Sequence, residues 1–152
     1  MLKAIVATAV TALAIAGLAL AAPQKDTYNL TANLRARSEV PRPTGVPVGA
    51  TGLFTGKVVE LANDKAKLSW RLTFSKLSGA AGAAHIHAGK LGKAGPVMIA
   101  LCGPCKSGQR GTATISHAQL SKIEAGGTYV NVHTAKNAAG EIRGQVKASE
   151  VG

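Results

Sequence analysis

From Tyr28 onward the chain alternates apolar and polar side chains. Tyr28, Leu30, Ala32, Leu34 and Ala36 interleave with Asn29, Thr31, Asn33 and Arg35, and Leu68, Trp70, Leu72 and Phe74 interleave with Ser69, Arg71 and Thr73. A period of two sends successive side chains to opposite faces of an extended chain, so both segments are predicted as half-buried strands. Residues 53–61 alternate in part, with Phe54 and Val58 on one face and Leu53 and Lys57 on the other. Gly52 and Gly56 there point to a bend or a close backbone approach. Residues 96–101, 111–115, 128–134 and 141–148 give further short strands. Between them, Pro41, Pro43 and Pro47 with Gly45 and Gly49 make 38–50 an irregular connection, Asn63-Asp64-Lys65 reads as a hairpin turn, and 136–140 reads as another turn.

Only one segment departs from period two. Ser116 with Gln119 forms a capping-box pattern, Leu120 and Ile123 fall on one helical face, and Gly126-Gly127 supplies the stop. That is a helix of about two turns. Roughly eight strands with turn signals and no strand–helix alternation predict an all-β antiparallel domain, a sandwich or barrel-like fold with one short helix.

The N-terminus changes the domain limits. Lys3 precedes an uncharged run over 4–20, and Ala19-Leu20-Ala21 offers small residues at both positions of an A-x-A processing site. Residues 1–21 are predicted as a cleaved secretory signal peptide, leaving a single domain over 22–152, secreted or periplasmic. A retained anchor is the other reading of the run, and no later segment is long enough to span a membrane.

The 152 residues carry 18 Lys and Arg against 7 Asp and Glu, a formal charge of +11. In sequence the basic residues are spread out, and the five aromatics, Tyr28, Phe54, Trp70, Phe74 and Tyr129, fall mostly on apparent core faces. That argues against nucleic acid and for either an anionic envelope component or a merely solvated surface. With so few carboxylates, acid/base hydrolysis has few candidate residues, and there is no nucleophile elbow and no phosphate loop.

Both cysteines sit in Cys102-Gly103-Pro104-Cys105. The tetrapeptide matches that of thioredoxin-like oxidoreductases, but a loop follows it where those enzymes need a helix, so a disulfide clip is the expectation. Thiol exchange and metal ligation are the other readings. The most informative constellation is His85-Ile86-His87: on a strand, positions i and i+2 share a face, so two imidazoles stand side by side. His133 lies at the end of the 128–134 strand with Tyr129 and Asn131 on its face and Val130 and Val132 on the other. If those strands neighbour each other, three imidazoles converge, a set that suits copper or zinc and favours copper over oxygen-seeking magnesium or calcium. The alternative is a hydrogen-bonded histidine, for instance to Glu141, that orders the loop after Gly89. His117, in the first turn of the helix, is expected to face solvent.

Ala84-His85-Ile86-His87-Ala88-Gly89, then Gly95-Pro96-Val97, then Gly127 to Thr134 (GTYVNVHT), then Gly140 to Gln145 (GEIRGQ) resemble, in this order, the CHRD domain, the module first named from chordin. Leu34 with Ser38-Glu39-Val40-Pro41 resembles its opening segment, so the resemblance covers about 30–147. It implies an exported, immunoglobulin-like β-sandwich, found in bacterial envelope proteins and as repeats in chordin, an extracellular antagonist of signalling proteins. It implies no catalytic activity. On this resemblance the expected role is a non-enzymatic binding or structural module whose partner is an unknown protein or an anionic envelope component. Asn131, Glu141, Arg143 and Gln145 are its polar cluster, joined by His85, His87 and His133 in ordering loops. A looser resemblance is to copper/zinc superoxide dismutase, where an H-x-H strand and a later strand-end histidine hold copper. His85, His87 and His133 match those three positions, while the bridging histidine and the zinc-loop ligands have no match. Copper capture or dismutase-like chemistry at the three histidines is therefore the alternative function.

Overall fold

In a computed structural model, residues 25–151 are described, and the expected leader over 1–21 lies outside them. The alternating segments become β1 (Thr27–Arg35), β2 (Thr51–Glu60) and β3 (Lys65–Ser75), a meander in continuous antiparallel register. β4 (Ala81–Ala88), β5 (Val97–Cys102), β6 (Gln109–Ser116), α1 (His117–Glu124), β7 (Thr128–Thr134), β8 (Ile142–Gln145) and β9 (Lys147–Glu150) follow. The expected strand over 141–148 is two strands, because the chain changes partner at Val146. β8 pairs with β7, Val146 N–H donates to Thr128 O at 3.0 Å, and β9 pairs with β1.

The strand order is β5-β4-β7-β8-β1-β2-β3-β6, with β9 also on β1. All these strands belong to one antiparallel sheet that curls into a nearly closed barrel, its end strands β5 and β6 approaching each other. The all-β antiparallel expectation with one short helix therefore holds. The hydrogen bonding does not divide the strands into the two separate sheets expected of an immunoglobulin-like sandwich. β3 neighbours β6, not β4, so the chain crosses between them through residues 76–80.

Local sequence explains the turns and the helix. Asn63 and Asp64 both take positive φ (60° and 55°), the pair of left-handed residues that a tight hairpin twisted with its strands requires. In α1, Gln119 N–H donates to Ser116 Oγ at 3.2 Å and Ser116 N–H donates to Gln119 Oε1 at 2.9 Å, completing the capping box. Leu120 and Ile123 are fully buried, and Gln119 Nε2 donates to Met98 O of β5 at 3.1 Å. The helix that continues β6 thus ties the two unladdered end strands together.

Inward positions make one core: Leu30, Leu34, Phe54, Val58, Leu68, Leu72, Ile86, Val130, Val132 and Ile142 among them, each contributing about 1.5–3 kcal/mol by leaving water. Gly52 and Gly56 mark close approach. A Cβ at Gly52 would stand 2.9 Å from Ile142 Cδ1, and one at Gly56 would stand 3.1 Å from Leu68 Cδ1. Cys102 and Cys105 stand at disulfide distance (S–S 2.12 Å) beside this core, and Cys105 N–H donates to Ala81 O at 2.9 Å. The cysteine turn therefore clips the exit of β5 to the start of β4. No helix among the described residues is long and apolar enough to cross a membrane.

Ser116→Ala removes one half of the capping box and should destabilise the protein by about 1 kcal/mol. A thermal melt should show the midpoint falling by about 4 °C, and an unchanged midpoint would mean that packing of Leu120 and Ile123 alone holds the helix.

Candidate metal centre

β7 lies between β4 and β8, and its register decides what meets on the barrel's outer side. His85 stands opposite Asn131, His87 opposite Tyr129 and Ala83 opposite His133, while Asn131 faces Arg143 and Tyr129 faces Gln145. Residues directly opposite in an antiparallel pair share a face. His85, His87, Tyr129, Asn131, His133, Arg143 and Gln145 therefore form one outer layer, and Ala84, Ile86, Val130, Val132 and Ile142 fill the core beneath it. The adjacency that the sequence leaves open between the two histidine strands is present.

The three imidazoles offer ligand nitrogens within 4.8 Å of one another. His85 Nδ1 lies 3.1 Å from His133 Nε2, and the His85 and His87 ring centroids are 5.5 Å apart. Backbone carbonyls set two of the tautomers. His87 Nδ1–H donates to Gly95 O at 2.8 Å, and His133 Nδ1–H donates to Ala138 O at 2.9 Å. Each bond leaves Nε2 as the lone-pair nitrogen, the usual way a second partner orients a metal-binding histidine. His87 Nε2 is buried and has no hydrogen-bond partner. Burial pushes the His85 pKa below its ordinary value, helped by the neighbouring His133 and His87, and burial likewise lowers that of His133 against the pull of the Ala138 carbonyl. Three nitrogens bound to one zinc or copper at about 2.0 Å sit about 3.4 Å apart. The His85–His133 separation already meets that spacing, and closing a gap of up to 4.8 Å takes a relative shift of at most about 1.4 Å.

The layer is covered by residues 89–96, which lie as a strap across β7 and β8. Arg143 Nη2 donates to Lys90 O and Lys93 O at 3.1 and 2.9 Å, and Gln145 Nε2 donates to Gly89 O and Gly126 O at 2.8 and 2.9 Å. Gly95 N–H donates to Tyr129 Oη at 3.2 Å. Tyr129 also stacks on His87 (centroids 4.9 Å apart, planes 10° apart) and carries the Arg143 guanidinium 3.4 Å from its ring centroid, a cation–π contact. A Cβ at Gly95 would overlap the Ala88 carbonyl oxygen, so no other residue fits where the strap meets β4. Glu39, 2% exposed, lies by the same layer. Burial raises its pKa, opposed by the Val40 N–H, by the charge of Arg143 and by the Asn131 side chain.

Glu141 is bonded otherwise than expected: none of its side-chain hydrogen bonds goes to a histidine or to Asn131, Arg143 or Gln145. Fully buried, it accepts from Ser78 N–H at 2.6 Å, from the Ser78 hydroxyl, from Thr134 Oγ1 at 2.5 Å and from Asn137 Nδ2 at 3.1 Å. Asn137 in turn accepts from Thr44 N–H at 2.9 Å. One carboxylate thus holds the β3–β4 crossover to the β7–β8 turn, and its partner Asn137 adds the irregular segment around Thr44. Tyr129, Gly95, Ser78 and Asn137 are the parts of these networks that residue patterns alone passed over, although Gly95 and Tyr129 lie inside the motifs. His117 is exposed, with Nδ1 3.6 Å from Glu60 Oε1.

A family model described as the CHRD domain matches residues 30–146. The chain belongs to the CHRD family. A comparison with curated proteins and one with solved structures each found no match. The CHRD match spans β1 to Val146, and its motifs turn out to be spatially one object. AHIHAG supplies β4 and the start of the strap, GPV its end, TYVNVHT the central strand, GEIRGQ the arginine and glutamine that hold the strap down, and SEVP the buried Glu39 beside them.

Burial alone would raise the Glu141 pKa, but its four donors hold it below the ordinary carboxylate range. A carboxyl depressed by folding contributes stability that is complete above its unfolded value, about 4.3, and is lost as pH falls through the lower folded value. Glu141→Gln should cost about 2–4 kcal/mol at pH 7. Urea melts should show the deficit shrinking towards pH 3, and a deficit independent of pH would mean the charge is not what the donors hold.

Proposed function

We propose that this CHRD chain is an exported, non-catalytic module, processed after residue 21, that binds a transition metal through His85, His87 and His133, with copper the preferred ion. The observation that carries the reading is the orientation of the rings. His87 and His133 each commit Nδ1–H to a backbone carbonyl and present Nε2 into the same small space, and that of His87 is buried without a partner. Three imidazole nitrogens with no carboxylate oxygen among them match the preferences of copper and zinc, and a three-ligand set leaves a coordination position open. Cysteine ligation is not part of the proposal, because Cys102 and Cys105 pack beside the core while the imidazoles lie on the outer side.

A second reading has its own support, namely that the same rings serve only to order the strap, since the His87–Gly95 bond is one of its tethers. The two readings separate in a titration of the purified protein with Cu(II), repeated with Zn(II) and with a His85→Ala/His87→Ala/His133→Ala variant. The wild type should take up about one equivalent of copper, and at a hundredfold excess over Kd it should gain about 2.7 kcal/mol of stability. The variant should do neither. Equal uptake by the variant, or no uptake by the wild type, would overturn the metal reading. A melting point lowered equally by His85→Ala with and without chelator would leave loop ordering as the role.

A further inference from the structure

The basic residues look scattered along the chain, but the register of β9, β1, β2, β3 and β6 gathers seven of the 18 onto one face. Arg35, Lys57, Lys65, Lys67, Arg71, Arg110 and Lys147 all stand at exposed outward positions of these strands. Among the described residues no Asp or Glu shares those positions. The rest are almost entirely Thr, Ser and Asn, with Leu53 and Val59 the apolar exceptions.

Two features of this face have no structural explanation in the fold itself. Arg71 and Arg110 are directly opposed across β3 and β6, an arrangement of like charges that destabilises a sheet, and among the described residues neither makes an ion pair. Beside them runs an open groove of about 510 Å³, rimmed by Thr55, Lys57, Ser69, Arg71, Arg110 and Thr112. Its floor is the backbone of the row Gly56–Trp70–Gly111, whose Trp70 ring turns into the core, so the groove is walled by the outward side chains on either side of that row.

We propose that this face docks an acidic polysaccharide, a uronic-acid polymer laid along the groove with its carboxylates on Arg71 and Arg110. Guanidinium forks suit planar carboxylates, and the threonine and serine hydroxyls between the cations suit sugar hydroxyls. An anionic bilayer fits less well, because a membrane-seated surface presents several large apolar side chains and this one has no cluster of them. Single-stranded nucleic acid would want exposed aromatic platforms, and Trp70 is only 6% exposed. The face lies away from the three histidines, so the proposal stands or falls independently of metal binding.

The test is calorimetric titration of the purified protein with polygalacturonate oligomers, with dextran as the neutral control. An Arg71→Gln/Arg110→Gln variant is compared with Lys106→Gln/Lys122→Gln, which removes the same charge from exposed positions elsewhere. The first variant should bind at least about tenfold more weakly, the second within about twofold of wild type, and dextran should not bind. The melting point of Arg71→Gln/Arg110→Gln should be unchanged or raised, which separates lost binding from lost folding. Equal weakening in both variants would reduce the effect to net charge. No polygalacturonate binding by the wild type would also overturn the proposal. So would binding to phosphatidylglycerol vesicles that needs Arg71 and Arg110 while the polymer binds weakly or not at all.

Discussion

β7 is buried on both sides, and most of what is unusual in the molecule follows from that constraint. Its inner side meets the barrel core through Val130 and Val132, as any half-buried strand would. Its outer side carries Tyr129, Asn131 and His133, whose polar atoms lose water once covered and must be repaid by hydrogen bonds or stay costly. The strap over residues 89–96 supplies that cover, and Arg143, Gln145, Tyr129 and His87 supply the bonds. A charged guanidinium at 1% exposure is tolerable because it donates to two carbonyls and rests on an aromatic ring.

The same arrangement makes the layer double-purpose. The bond that ties His87 to the strap also chooses its tautomer, as the Ala138 carbonyl in the β7–β8 turn does for His133, so loop geometry and ligand geometry are linked. The layer is not fully satisfied from within: Glu39 Oε2, His87 Nε2, Asn131 Oδ1 and Arg143 Nη1 are all buried without partners. Glu141 shows the contrast, since several donors converge on its carboxylate and its role is confined to joining the β3–β4 crossover to the β7–β8 turn.

The charge is organised by the same barrel. One outer face is roofed by the strap beside its histidines, while another run of strands is open and cationic, with no carboxylate at its described outward positions. A closed or nearly closed sheet has only one inner side to fill, so its outer side is free to differentiate around the circumference. The two faces can therefore bind different things without competing.

Much of this was legible in the chain. Alternation at Leu30–Ala32–Leu34 and Leu68–Trp70–Leu72 names the core side of each strand, because period two is a local property of extended backbone. Asn63-Asp64 and Ser116 with Gln119 name a turn and a cap for equally local reasons. The motif pieces identify the family, since they are local strings of residues in a fixed order. What local pattern could not supply was partnership. That β4 lies beside β7, that Glu141 turns to Ser78 and not to a histidine, that residues 141–148 split at Val146, and that a sheet closes where two layers were expected all depend on which strands pair. So does the cationic face, because Arg71 and Arg110 are 39 positions apart in sequence and become neighbours only through the register of β3 with β6. Composition and period determine which side of each strand is wet; the long-range hydrogen bonding of the sheet decides which wet sides share a face, and it is there that chemistry is assembled.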